Sequence, residues 1–455
     1  MNDWSDAESR VERAQELFEQ RKWQEALDEL RAAIEINPYN SAWFFNLGLT
    51  LDEMGRLNEA IDAYQEATEI DAEDLQALNH LGVDLQRTGR FSESLAVFEK
   101  AERLDAAFEP SYCNRIIVYT ELGDHDKAEE MFYIARQYRD ECPQCFYNMG
   151  RSLFERGLVD KALYCWRKAI EIDEDLPGVH ARIADAYRQQ GATEKARQHF
   201  LIALRQDPGD TDVLLDLGDL LIEIGRFSEA GEKYRRAAEM APEKPDPHFC
   251  VGQWLMKAGR PLEARSTFHK VLEIDPTFPA AHLALGEIYL KAGDIEHARR
   301  HLRQEQQLQS DDPAELLHLS NLLTDTGQTR AALACLRRLT QIAPDNARAW
   351  QNLAVVQFMR RRHDEGIRSC RQALRLDRTN VMVMHNLAVA YEQMGKYAEA
   401  ILWVRQALTD SPNDGELLRL AFRLRVLRVM AGVGRLFRSM FRQSSRAGLS
   451  QLDEA

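Results

Sequence analysis

The amino-acid sequence predicts an all-α fold, a solenoid of antiparallel helix pairs, and three observations predict it. The 455-residue chain repeats itself every 34 residues without slippage. On that period a small residue returns at Gly48, Gly82, Gly150, Ala184, Gly218, Gly252 and Gly286, and a second series runs through Ala26, Ala60, Ala128, Ala162, Ala196 and Ala230. Within a repeat, apolar residues recur at i, i+3, i+4 and i+7, the spacing of one buried helical stripe. Phe44, Leu47, Gly48 and Leu51 form such a stripe before Gly55, and Ala60, Ile61, Tyr64, Ala67 and Ile70 form another after it. No stretch alternates as a strand would, and the prolines are scattered singly. Hydrophobic residues make up 45% of the chain, enough to fill a ribbon-like core in which each pair touches its neighbours.

Taken in order, residues 1–6 are a polar lead-in. Twelve repeats follow at 7–40, 41–74, 75–108, 109–142, 143–176, 177–210, 211–244, 245–278, 279–312, 313–346, 347–380 and 381–414. The first is degenerate, with Arg10, Arg13 and Ala14 at its apolar and small positions, as befits a terminal repeat with one wet face. The fourth departs most: Arg115 and Ile116 replace Leu and the small residue, and a buried Arg115 requires a carboxylate partner. Pro208, Pro242 and Pro276 end one helix and suit the start of the next. Glu305, where the other repeats favour Ala, marks the ninth repeat as frayed. Arg360, Arg361 and Arg362 cross the turn of the eleventh in place of Gly.

Residues 415–443 read as a capping helix, from Glu416 to Ala431, that continues as a basic amphipathic helix. Leu418, Phe422, Val426, Val429, Val433, Leu436, Phe437 and Met440 share one side. Arg428, Arg435, Arg438 and Arg442 share the other. These four arginines, with Phe437 and Phe441, are the candidates for meeting a membrane surface or a partner helix. Gly432 and Gly434 are expected to kink or split the helix, and residues 444–455 are expected to be disordered.

Large residue, Leu-Gly and Tyr in the first helix, then Ala, an aromatic and Pro in the second, at Phe44, Leu47, Gly48, Leu51, Ala60, Tyr64 and Ala67 with Pro208 at the later position, resemble the tetratricopeptide repeat. The resemblance covers residues 7–414. It implies a right-handed superhelical solenoid whose first helices line a concave groove for peptide segments of partner proteins, with no catalytic role. The family's groove positions fall on Phe45, Asn46, Leu49, Asn79, Val83, Asn114, Ile117, Tyr147, Asn148, Arg151 and Phe154. Further along they fall on Leu215, Ile222, Phe249, Met256, Leu283, Leu290, Leu317, Asn352, Val355, Phe358, Met359, His385, Asn386 and Val389. Asn46, Asn114, Asn148, Asn352 and Asn386 share one position and are similar to the asparagine ladder in the arm of O-linked N-acetylglucosamine transferases. That likeness keeps open a substrate-recognition subunit for a separate transferase. The carboxylate clamp of chaperone adaptors is disfavoured, because no repeat has Lys at the fifth position.

The formal charge is −15. Residues from Gly415 on hold eight Arg against three acids, +5, which leaves −20 on residues 1–414. So acidic a body disfavours nucleic acid, whose phosphates need Lys and Arg, and suits basic or neutral peptides. Acids at the N-terminus and the lack of a long apolar run point to a cytoplasmic protein without a membrane span. The basic helix leaves a peripheral, membrane-associated assembly factor as a second reading. The seven cysteines are scattered and read as free thiols. Cys142 and Cys145 make one CxxC without a second pair at metal spacing, so they read as two free thiols at a turn. His297 and His301, one helical turn apart, read as a solvated face. No phosphate loop, GxSxG, HExxH or dinucleotide fingerprint occurs, and neither an enzyme nor a cofactor is expected.

Overall fold

The computed structural model describes residues 2–450, with side chains described from Trp4 to Val433. Among these residues every regular element is an α-helix. The chain forms two compact bodies that divide at Lys233 and Tyr234.

The first body contains the pairs α1 (Asn2–Glu19) and α2 (Trp23–Ile36), α3 (Ser41–Glu53) and α4 (Leu57–Ile70), α5 (Leu75–Arg87) and α6 (Phe91–Leu104), α7 (Glu109–Glu121) and α8 (His125–Tyr138). It continues with α9 (Pro143–Glu155) and α10 (Val159–Ile172), α11 (Val179–Gln189) and α12 (Thr193–Gln206), and α13 (Thr211–Glu223). Helix α14 (Phe227–Met240) carries the division. The second body contains α15 (Pro245–Lys257) and α16 (Pro261–Ile274), α17 (Ala281–Lys291) and α18 (Ile295–Leu308), α19 (Pro313–Asp325) and α20 (Thr329–Ile342). Then come α21 (Ala347–Met359) and α22 (His363–Leu376), α23 (Val381–Gln393) and α24 (Tyr397–Asp410), and the terminal α25 (Gly415–Ser450). Residues 2–6 of the expected lead-in are already helical in α1.

Each repeat is folded by the same local chemistry. The turn inside a pair needs one residue in the left-handed region, and glycine takes it without a Cβ penalty, as at Gly55 (φ 71°) and Gly395 (φ 72°). Arg21 (φ 59°) and Arg361 (φ 60°) adopt the same backbone at the same repeat position. The turn between repeats is held by an aspartate that ends the second helix. Asp71, Asp105, Asp173, Asp207, Asp275 and Asp377 each accept the backbone N–H two residues on. Asp74, Asp210, Asn346 and Asn380 then cap the following helix.

The two helices of a pair close through a glycine facing a ring. A Cβ on Gly48 would lie 2.5 Å from the Tyr64 ring, one on Gly82 2.5 Å from Phe98, and one on Gly150 2.4 Å from Trp166 Nε1. Tyr64, Phe98 and Trp166 are all fully buried. Where the facing residue is smaller, as at Cys370 or Val404, the sequence carries Ala354 or Ala388 in place of the glycine.

Arg115 meets its expectation: it is buried, and its Nη1 donates to Glu102 Oε2 at 2.5 Å. The ninth repeat is not frayed. Glu305 is buried and accepts the N–H groups of Ala280 (3.2 Å) and Leu283 (3.0 Å), so its carboxylate satisfies the first turn of α17.

Helix α25 caps the second body. Leu417, Leu420 and Leu424 are buried against Met384, Tyr391, Val404 and Ala407. Arg423 grips Glu392 with two hydrogen bonds, 2.8 and 2.6 Å long. The apolar stripe expected to share one side does not do the capping. Leu418, Phe422, Val426, Val429 and Val433 are exposed, Phe422 at 71%. At 3.6 residues per turn their stripe lies roughly 160° around the helix from the three buried leucines. The helix is not split at Gly432 and Gly434, since it runs through to Ser450. One or two glycines cost about 1 kcal/mol each relative to Ala, which a run of Arg, Leu, Met and Phe on either side offsets. Of the segment expected to be disordered, residues 444–450 lie within this helix and 451–455 fall outside the described residues. No described helix is long and apolar enough to cross a membrane.

Candidate peptide-binding surface

Successive first helices pack side by side within each body, and the positions expected to line a groove fall on them. Nearly all of these residues are half-buried. Asn148 and Leu283 are the two that are fully buried, at 3% and 7% exposure.

The amides show why. Asn114 Nδ2 donates to Asn79 Oδ1 at 2.8 Å, and Asn352 Nδ2 donates to Asn321 Oδ1 at 2.7 Å. Asn148 donates to the Cys113 carbonyl (2.9 Å) and accepts from Gln144 (3.2 Å). An amide has two donors and one acceptor oxygen, so Asn148 is consumed by the scaffold, whereas Asn114 and Asn352 retain their acceptor oxygens. Much of the asparagine series therefore ties one repeat to the next. Arg151 is likewise engaged, with Glu155 at 3.2 Å and Glu121 at 3.3 Å.

The aromatic candidates lean on the second helix of their own repeat. Phe45 packs on Tyr64 (5.8 Å) and His80 (5.4 Å), Phe154 on Trp166 (5.6 Å), and Phe249 on Phe268 (5.5 Å) and Phe278 (5.0 Å). Phe358 lies over Gly366, where a Cβ would come within 2.2 Å of its ring. Leu49, Val83, Ile117, Tyr147, Leu215, Ile222, Met256, Leu290 and Leu317 are half-buried on the same helices.

Two places remain open. In the second body a cavity of about 240 Å³ lies between α21 and α23, lined by Val355, Phe358, Met359, His385, Asn386, Val389, Ala390 and Gln393. Six of those eight were expected from the sequence. In the first body a cavity of about 220 Å³ is lined by Val11, Ala14, Gln15, Phe18, Leu30, Asn46, Leu49 and Thr50. A third, larger cavity of about 580 Å³ was not foreseen. It lies on the second helices α8 and α10, between Phe132, Tyr133, Arg136, Lys161, Tyr164 and Lys168. Tyr133 and Tyr164, 55% and 59% exposed, stand beside it, and only their exposure, which no periodicity reveals, marks them.

The middle of the first body carries acid on its first helices. Burial, and then the charge of Asp185, push Asp216 up to about 6. Arg188 answers with Glu223.

Of the terminal-helix candidates, Arg428 is exposed. The side chains of Arg435, Phe437, Arg438, Phe441 and Arg442 lie outside the described residues.

The reading of free thiols is corrected at Cys113 and Cys145, while Cys142, Cys165, Cys335 and Cys370 stand outside any disulfide. Cys113 and Cys145 are joined by a disulfide. Cys142 lies 3.4 Å from the Cys113 sulfur, and Glu109 reaches all three. The 34-residue register explains this: Cys113 and Cys145 lie 32 residues apart near the same end of neighbouring first helices, α7 and α9. Burial, then the bond to Glu109, push the Cys142 thiol up to about 12, so unaided it is no nucleophile.

Of the two histidines expected on a solvated face, His301 is not solvated. His301 is buried and its Nδ1 meets that of His282 at 2.9 Å, while His297 stays exposed beside Asp294. Burial, then His282, His269, His297 and Arg300, push His301 down to about 4, and burial, then His180 and Arg167, do the same to His199. A base depressed on folding is neutral in the native chain while the unfolded chain still binds its proton. The stability from these two residues is thus full above about pH 6.5 and is lost as pH falls toward 4. Asp84 and Asp216, raised to about 6, act in the opposite sense. The His199→Gln/His301→Gln variant is expected to lose less melting temperature than the parent between pH 7 and pH 4.5. Equal losses in thermal melts would contradict this.

Family comparisons agree with this architecture. Tetratricopeptide repeat models match residues 11–74 and 182–245, 150–191, and 75–101. The chain is a tetratricopeptide repeat protein. A further model, described as the C-terminal domain of cilia and flagella-associated protein 70, matches residues 245–451 of this repeat protein. No curated protein matches it. Similar solved structures include the APC/C hetero-tetramer Cut9–Hcn1, at 16% identity over 90% of this chain and 95% of that one, TM-score 0.40. PilF of Pseudomonas aeruginosa is 23% identical over 46% of this chain and 96% of its own, TM-score 0.40. Yeast Tom70 is 12% identical over 93% and 96%, TM-score 0.39.

Proposed function

We propose that this tetratricopeptide repeat protein is a non-enzymatic scaffold that binds peptide segments of partner proteins on its first helices. The cavity between α21 and α23 carries the reading. Val355, Phe358, Met359 and Val389 give it apolar walls, and His385 and Asn386 stand at it with polar groups for a peptide backbone. Met359 is 53% exposed, a cost that an occupant would remove.

The test pans a displayed random-peptide library on the immobilised full chain. Selected peptides are expected to bind the Met359→Glu/Asn386→Ala variant at least tenfold more weakly, with far-UV circular dichroism unchanged. Equal binding by parent and variant would refute the cavity as the site. Replacing Asn114 and Asn148 is a poorer test, because Asn148 is buried and bonded within the scaffold.

A second reading rests on the exposed stripe Leu418, Phe422, Val426, Val429 and Val433, next to the exposed Arg425 and Arg428. An apolar face edged by arginine suits the surface of an anionic membrane.

A further inference from the structure

Four donor groups converge between α7 and α9 that the peptide-binding reading does not use. They are the Glu109 carboxylate and the sulfurs of Cys113, Cys142 and Cys145, all within 4.8 Å of one another, with the three cysteines buried. We propose that in the reduced chain they form a structural zinc site, three thiolates and one carboxylate, that clamps the fourth repeat to the fifth.

Four donors is the number that closed zinc sites use, and thiolate and carboxylate are both ligands of zinc. A tetrahedron with Zn–S bonds of about 2.3 Å has S···S edges of about 3.8 Å. Glu109 Oε1 lies 3.2 Å from Cys113, 2.5 Å from Cys142 and 3.8 Å from Cys145, and the Cys113 and Cys142 sulfurs are 3.4 Å apart. One oxygen thus already lies within 3.8 Å of every sulfur. A disulfide uses only two of these groups. It accounts for neither the third buried sulfur nor a carboxylate oxygen turned toward all three.

The surroundings are those of a metal ligand set. Cys142 caps α9 and its sulfur accepts the Cys145 N–H at 3.1 Å, with Pro143 fixing the first turn between them. The other carboxylate oxygen of Glu109, Oε2, is held by Arg139 at 3.0 Å, the outer partner that orients a carboxylate ligand.

The chemistry balances in two steps. Two equivalents of a cellular thiol reduce the Cys113–Cys145 bond, giving two cysteine thiols and one exogenous disulfide. Zn²⁺ then displaces three protons from the three thiols and is bound by the resulting thiolates and the Glu109 carboxylate. The disulfide and the metal are alternative occupants of the same sulfurs, so oxidation would expel the ion.

The test is the metal content of the full chain. Protein purified with a thiol reductant and added zinc, then exchanged into metal-free reducing buffer, is expected to retain about one zinc per chain by mass spectrometry. Cobalt in its place is expected to give a thiolate charge-transfer band. Cys142→Ser, Cys145→Ser and Glu109→Gln should each weaken zinc at least tenfold, and Arg139→Ala about tenfold. Cys165→Ser, which removes a buried cysteine outside the set, should leave binding intact. Circular dichroism identifies any variant that fails to fold, and for that case the cobalt band of the parent decides. Reduced parent protein that keeps no zinc and shows no thiolate band would overturn the proposal. So would a Cys113–Cys145 bond that persists under reductant in zinc-free protein.

Discussion

Truncation after Asp414 is expected to destabilise the second body by several kcal/mol and to melt the twelfth repeat first. Leu417, Leu420 and Leu424 are at most 4% exposed. Burial of one such side chain stabilises by about 1.5–3 kcal/mol, so the three together contribute on the order of 5–9 kcal/mol as an upper bound. Removing them uncovers Met384, Val404 and Ala407 as well, and a solenoid without a cover exposes an apolar end. Urea unfolding followed by circular dichroism should show an early transition in the truncated chain. Leu420→Asp should act in the same direction. Phe422→Asp, on the outward stripe of the same helix, should change stability by less than about 0.5 kcal/mol. If Phe422→Asp proved as damaging as Leu420→Asp, the orientation of α25 described above would be wrong.

Gly150→Val is the second large effect. The first atom of the new side chain alone would meet Trp166 at 2.4–2.8 Å, and that indole is fully buried with its Nε1 bonded to the Tyr147 carbonyl at 3.1 Å. The ring cannot swing away without breaking that bond and opening α9 from α10. Overpacking a close core costs about 1–3 kcal/mol, and valine at this position should reach the top of that range. Thermal melts should show it, and the Gly150→Val/Trp166→Leu double variant should recover part of the loss. A single variant as stable as the parent would remove the ring-on-glycine contact from the account of how a repeat closes.

These two sites differ in how much of them could be read beforehand. The glycine series at Gly48, Gly82 and Gly150 repeats on a strict period, so the helix pairs and their close approach were legible residue by residue. The carboxylate partner of the buried Arg115 followed from the cost of an unpaired charge. Helix α25 was legible as a cover but not in orientation. It offers two apolar stripes, and helical periodicity alone does not say which one meets the last repeat. The groove candidates were placed on the correct helices, yet the division between open and consumed residues was hidden. Asn148 and Asn386 occupy the same repeat position, and only one is spent on a neighbouring carbonyl.

By itself the sequence determined the repeat length, the helix pairs, their turns and their small-residue contacts, because all of these depend on residues within 34 positions of each other. Tertiary structure alone decided which side chains meet across the helix interfaces, both within a repeat and between repeats. It brought Glu109, Cys113, Cys142 and Cys145 to one point, paired His282 with His301, assigned Glu305 to the start of α17, and left the α21–α23 cavity open. Periodicity sets which face a side chain occupies, whereas the spacing and tilt of neighbouring helices set what that side chain touches.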